Sequence, residues 1–151
     1  MIINTKRFGQ IEINDGKIIT FINGLMGFEN LKKYALMDHP GTNFLKWLQS
    51  VEDPEVSLPV VNPTVFFPDY SPIISQNELE ALKIEEPEQA VVLCVITVSH
   101  DVQKATVNLK APIIINTDKR LADQVIAENH EYLVRQPLNL RKPSQRRCEG
   151  C

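Results

Sequence analysis

The chain has 151 residues, 43% of them hydrophobic and 23% charged, with a formal net charge of −3. That length favours one domain with a core of its own. No apolar run reaches the roughly 18 residues of a membrane helix, and the opening MIINTKRFGQ has no signal-peptide h-region, so a cytoplasmic location is expected, without membrane association. The charge is unevenly spread. Residues 1–136 hold twelve basic and eighteen acidic side chains, a net −6, and residues 137–151 hold four basic and one acidic, a net +3. An acidic body with a short basic tail repels nucleic-acid phosphates and suits a basic protein partner.

Taken in order, residues 1–14 read as one or two short strands, with Phe8, Ile11 and Ile13 inward. Asn14-Asp15-Gly16 is hairpin-turn chemistry, since these residues tolerate positive φ, and Lys17–Phe21 is the expected returning strand. Asn23–Phe28 is a loop with two glycines and three large apolar side chains. It reads either as a plug buried in one end of a barrel or as an exposed contact loop. Glu29–Lys33 allows one helical turn before the strand Tyr34–Met37. Asp38-His39-Pro40-Gly41 is a turn, and Phe44–Ser50 alternates as a strand whose Trp47, the only tryptophan, is expected in the core.

Val51–Glu55 is an acidic loop. Leu58–Pro63 and Val65–Pro68 read as extended but are interrupted by prolines, which donate no ladder hydrogen bond, so an edge or bulged strand is expected. Asp69–Pro72 turns the chain. Ser75-Gln76-Asn77-Glu78 matches a capping box and predicts a short helix over 76–83. Ala90–Val98 is β-branched and apolar on both faces, with Val91, Leu93 and Val95 on one and Val92, Cys94, Ile96 and Val98 on the other. A central strand buried on both sides is predicted. Ser99–Lys104 has hairpin-loop length. Ala105, Val107 and Leu109 alternate inward, Ile113–Asn116 closes the unit, and Leu121–Ile126 reads as a closing strand. The body, residues 1–136, is thus an all-β, barrel-like domain of antiparallel strands with one short helix, and residues 137–151 are a basic, disordered tail.

Catalytic chemistry is not legible. His39, His100 and His130 fall in polar segments without metal-helix spacing, and His100-Asp101 adjacency makes no relay. There is no P-loop, no G-x-G-x-x-G and no G-x-S-x-G. Cys94 reads as a small buried hydrophobe. Cys148 and Cys151 form C-x-x-C in a polar tail without the further ligands of a zinc site, which needs about four. No cofactor and no enzymatic activity are expected. A small barrel could bind single-stranded nucleic acid, but that needs a basic groove with exposed aromatics. Phe66, Phe67 and Tyr70 adjoin Asp69 instead.

The segments Ile19-Thr20-Phe21, Gly24–Phe28, Tyr34-Ala35-Leu36 and Phe44–Ser50 resemble the N-terminal half of the FliW family of flagellar assembly factors. Val95–Val98 followed by Ala105–Asn116 resembles that family's second signature, and the similarity runs over residues 2–135. It implies a cytoplasmic, non-catalytic β-barrel-like protein. Such a protein binds flagellin and, alternatively, the RNA-binding translational repressor CsrA, whose sequestration relieves repression of flagellin translation. Direct contact with nucleic acid is not implied. Two segments combine apolar side chains with loop-like backbone, so Met26, Phe28, Phe66 and Tyr70 are candidate partner-binding residues. Glu52, Asp53 and Glu55 are candidates for guiding a basic partner. The alternative is that both segments cap the barrel and bury their side chains.

Overall fold

The computed structural model describes residues 1–98 and 104–138. A two-stranded ribbon opens the chain, β1 (Ile2–Thr5) against β2 (Gly9–Glu12). Nine further strands follow: β3 (Ile19–Phe21), β4 (Lys33–Asp38), β5 (Leu45–Ser50), β6 (Ser57–Val61), β7 (Ala90–Thr97), β8 (Thr106–Val107), β9 (Ile113–Asn116), β10 (Leu121–Gln124) and β11 (Gln136–Pro137). One short helix, α1 (Gln76–Ala81), lies between β6 and β7. Strands β7-β6-β5-β4-β3-β10-β9 form a continuous sheet, and β9 pairs back onto β7, closing a seven-stranded barrel. Every pairing is antiparallel except β3 with β10, which is parallel. β8 and β11 extend the sheet outward from β7.

The registers put one alternating set of side chains inside. Ile19, Phe21, Tyr34, Leu48, Val60, Leu93, Ile113, Ile115 and Ala122 form one buried cluster with Leu25, and Val95 packs against it. At about 25 cal/mol per Å² of apolar surface, side chains of this size are the main stabilising term. The opposite faces are also apolar in three places, and each has a cover. The β1–β2 ribbon brings Ile3 and Ile11 over Ala35 and Met37. The segment from Phe66 to Tyr70, with β8 and Leu138, covers Val61, Cys94 and Ile96. Helix α1 and its flanks bring Leu82, Ile74 and Ile84 over Ile114 and Val125. These covers explain why β7 and β9 are apolar on both faces. Val91 and Val98, at the two ends of the predicted central strand, are nevertheless exposed.

Several expectations from local pattern are corrected by tertiary context. Asn14 does cap a tight turn, its Oδ1 accepting from Gly16 N at 2.9 Å. That turn is a 3-10 turn over Asp15–Lys17 and does not make a hairpin, because β2 pairs with β1 rather than with β3. The hairpin turns at Lys6–Phe8, where Thr5 Oγ1 accepts from Phe8 N and donates to Gly9 O. Glu29–Lys33 forms turns and the start of β4, not a helical turn. Trp47 is half-buried outside the core. Its Nε1 donates to His39 Nδ1 at 3.1 Å, and the Arg7 guanidinium lies 3.7 Å from the ring centroid.

Strand β6 is interior rather than an edge. It pairs with β5 along its length and with β7 at Val60 and Val61, and Pro59 falls where only β5 is paired. The expected extension over Val65–Pro68 is replaced by a 3-10 turn over Pro63–Val65 that continues into αR backbone at Phe66, with Asn62 as cap. The capping box of α1 is half realised. Ser75 Oγ accepts from Glu78 N, but the Glu78 carboxylate takes the Ser75 hydroxyl rather than its amide. The domain also runs past residue 136: Pro137 is in β11 and Leu138 is buried. His100 and Asp101, and the tail with Cys148 and Cys151, lie outside the described residues.

Candidate partner-binding surface

The glycine-flanked loop after β3 is divided by residue into a buried part and an exposed part. Leu25 is buried in the barrel interior, whereas Met26 is 47% and Phe28 36% exposed. Gly24 has φ +77°, and a Cβ there would lie 2.8 Å from Glu29 O, so the fold-back of the loop requires glycine at this position. Phe28 N donates to Leu25 O at 2.8 Å and Gly27 N to the Glu29 carboxylate at 3.0 Å. The backbone bonds to the Glu29 carboxylate, chiefly from Gly27, hold that group below the usual carboxylate range.

Strand β10 fixes the loop from outside. Asp123 accepts from Asn23 N and, at 2.7 Å, from Asn23 Nδ2. Gln124 Oε1 accepts from Met26 N at 2.9 Å, while Gln124 Nε2 donates to Ala111 O. Asp123 and Gln124 are supports of this loop that sequence reading missed. They lie about a hundred positions from their partners, and only the β3–β10 pairing brings them together.

The acidic loop lies beside the same region. Glu52 Oε1 accepts from the backbone amides of Lys32 and Lys33, which follow the Met26–Phe28 loop. Asp53 Oδ1 accepts from Glu55 N, and Glu55 lies 3.8 Å from Lys6 Nζ. These carboxylates therefore organise the junction between β4 and the β5–β6 turn. Their charges are partly committed within the protein, which lessens their reach toward a partner.

Phe66 and Tyr70 belong to another face. Phe66 is half-buried and meets Phe44 edge-on at 5.4 Å between centroids. Tyr70 is only 8% exposed. Its hydroxyl donates to Leu109 O at 2.7 Å, its ring packs 4.6 Å from Tyr132, and Cys94 Sγ lies 3.8 Å from its oxygen. Of the two readings of this segment, Tyr70 follows the buried one: the ring covers β7 and its polar end is satisfied inside, so it shapes the cleft beside Phe66, Phe67 and Tyr132 from below. Burial pushes the Tyr70 hydroxyl well above the ordinary tyrosine range, and Cys94 adds to the shift. Burial also pushes the Cys94 thiol up to about 12, against the opposing effect of its bond to Tyr70, which leaves no thiolate for nucleophilic chemistry near neutrality. Among the described residues, no three His, Cys, Asp or Glu side chains are grouped to hold a metal ion, and no helix is long and apolar enough to cross a membrane.

The fold defines a small closed β-barrel with an apolar loop after β3 that is hydrogen-bonded to β10. A family model described as FliW protein matches residues 2–138. The flagellar assembly factor FliW of Natranaerobius thermophilus is 44% identical over 140 residues, covering 91% of this chain and 92% of that protein. The flagellar assembly factor FliW of Bdellovibrio bacteriovorus is 37% identical over 138 residues, covering 91% and 79% respectively. A crystal structure of the flagellar assembly factor FliW superposes with a TM-score of 0.86 at 34% identity, covering 94% of this chain and 99% of that one. The chain belongs to the FliW family of flagellar assembly factors.

Proposed function

We propose that this flagellar assembly factor works by protein–protein contact in the cytoplasm, binding flagellin and, in alternation, the translational repressor CsrA, so that repressor is withdrawn when flagellin is scarce. The observation that carries this reading is the loop at Met26 and Phe28. Its two apolar side chains face solvent on a backbone anchored by Leu25, Asp123 and Gln124. A pre-ordered apolar contact loses little conformational freedom on association, which favours affinity. The acidic body, −6 over residues 1–136, supports association with a basic RNA-binding partner and disfavours RNA itself.

The test mixes the purified protein with flagellin and, separately, with the repressor, and reads complex formation by sizing column and titration calorimetry. Both partners should co-elute with it. The paired variant Met26→Ser, Phe28→Ser should keep its thermal unfolding but bind at least one partner about tenfold more weakly, as expected for loss of buried apolar anchors. Failure of both partners to bind the wild-type protein would overturn the proposal.

A further inference from the structure

A second surface lies on the far side of the segment that follows Tyr70. Pro72, Ile73 and Ile74 follow, and the segment is held by Asn129, whose Oδ1 accepts from Ile73 N at 2.7 Å and whose Nδ2 donates to Ser71 O. Between this segment and helix α1 the barrel wall is left partly uncovered. The result is a cleft of about 560 Å³ lined by Ile73, Ile74, Leu79, Ile84, Val92 and Ile114. Ile73 is 54% exposed at its mouth. The floor is aliphatic, so burying an apolar side chain there is favourable without further bonding.

The mouth is acidic. Residues 75–90 carry five glutamates, at positions 78, 80, 85, 86 and 88, against one lysine, Lys83. That net −4 is most of the −6 of residues 1–136. None of the five is in an ion pair among the described residues. Glu85 and Glu86 line the cleft itself, while Lys83 and Lys119 face the adjoining depression with Glu80. The glutamates are spread over the helix and the loop after it rather than converging on one point. They therefore suit several cations arranged along a chain, not the single charge of a small ligand.

We infer that this cleft is a second docking site, for a polybasic amphipathic segment of a partner protein, with aliphatic side chains seated on Ile73, Ile74 and Ile84 and its Lys or Arg residues over Glu85, Glu86 and Glu80. The inference does not depend on the Met26–Phe28 loop. The probe is a synthetic helical peptide of alternating Leu and Lys faces, compared with the same peptide carrying Glu for Lys, on full-length protein with isoleucine methyl groups observed by NMR. Shifts should be confined to Ile73, Ile74, Ile84 and Ile114 and appear only with the Lys peptide. Ile73→Ser should weaken binding about tenfold, and the double variant Glu85→Gln, Glu86→Gln should weaken it and flatten its salt dependence. Equal response to both peptides, or shifts elsewhere, would overturn the proposal. So would self-association abolished by Ile73→Ser without peptide binding, which would assign the cleft to a second copy of the chain.

Discussion

Asn116, at the end of β9, donates through Nδ2 to Leu82 O at 2.9 Å and to Lys83 O at 3.1 Å, so one buried amide holds the end of α1 against the barrel. Its Oδ1 accepts from the amides of Asp118 and Lys119, which sets the turn into β10. Both halves of the amide are used, and the residue is fully buried.

Asn116→Ala should therefore destabilise the protein by about 2–4 kcal/mol, because it leaves buried carbonyls and amides without partners. Urea unfolding monitored by circular dichroism checks this, and the midpoint should fall while the slope is retained. Asn116→Asp should be no better near neutrality, since it keeps the acceptor but sets an oxygen against two carbonyls.

Lys83 adopts φ +58° just beyond the helix, a conformation that an L side chain adopts at a cost and glycine adopts freely. Its side chain is exposed. Lys83→Gly should raise stability by up to about 1 kcal/mol, the relief at the turn exceeding the added freedom of the unfolded chain. A thermal melt at matched ionic strength measures it.

Gly24→Ala should do the opposite. The added methyl meets the Glu29 backbone at a positive φ, and something must shift. A loss of about 2 kcal/mol or more is expected, together with weakened partner binding as Met26 and Phe28 move. Comparing unfolding with binding at a temperature where the variant stays folded separates the two effects.

Tyr34 is fully buried with its hydroxyl unpartnered among the described residues. Burial first, then the charges of Glu52 and Asp53, push its pKa up to about 12. In the native state Tyr34 and Cys94 keep their protons where the unfolded chain loses them. The stability they contribute is thus fully present below the unfolded values of 9.0 for cysteine and 10.0 for tyrosine, and is lost as pH rises toward about 12. Tyr34→Phe should be neutral to stabilising by up to about 1 kcal/mol near neutrality, and its stability should decline less steeply in alkali. Urea midpoints at neutral and alkaline pH give both results.

The parts of this fold that are legible in the sequence are those where one strand decides its own environment. β7 and β9 announce themselves because both faces of each are apolar and β-branched, and α1 because Ser75-Gln76-Asn77-Glu78 marks its start. What is hidden depends on partners far along the chain. Asn14-Asp15-Gly16 has hairpin chemistry, yet β2 goes to β1 because the ribbon must cover Ala35 and Met37. Trp47 alternates like a core residue, but it falls on an outer face where Arg7 and His39 receive it. Tyr70 reads equally as a contact residue or a buried cap, because nothing local shows that Leu109 O will take its hydroxyl. Of the Asn23–Phe28 loop, the apolar content and the glycines are legible, but the bonds from Asp123 and Gln124 are not.

The parallel pairing of β3 with β10 ties Thr20 and Ile22 to Arg120 and Ala122. It carries a consequence for synthesis. While the ribosome extends the chain, at about 5–20 residues per second, β3 waits as an open edge until roughly a hundred further residues have emerged. Such distant pairing makes barrel closure a late event in folding. Because Asp123 and Gln124 arrive only then, the Met26–Phe28 loop, folded locally by its own bonds, gains its anchorage to β10 at the same moment as the barrel closes. Chains that stop before β10 lack the Asp123 and Gln124 bonds to this loop, so any engagement that needs the loop anchored is reserved for chains that have closed the barrel.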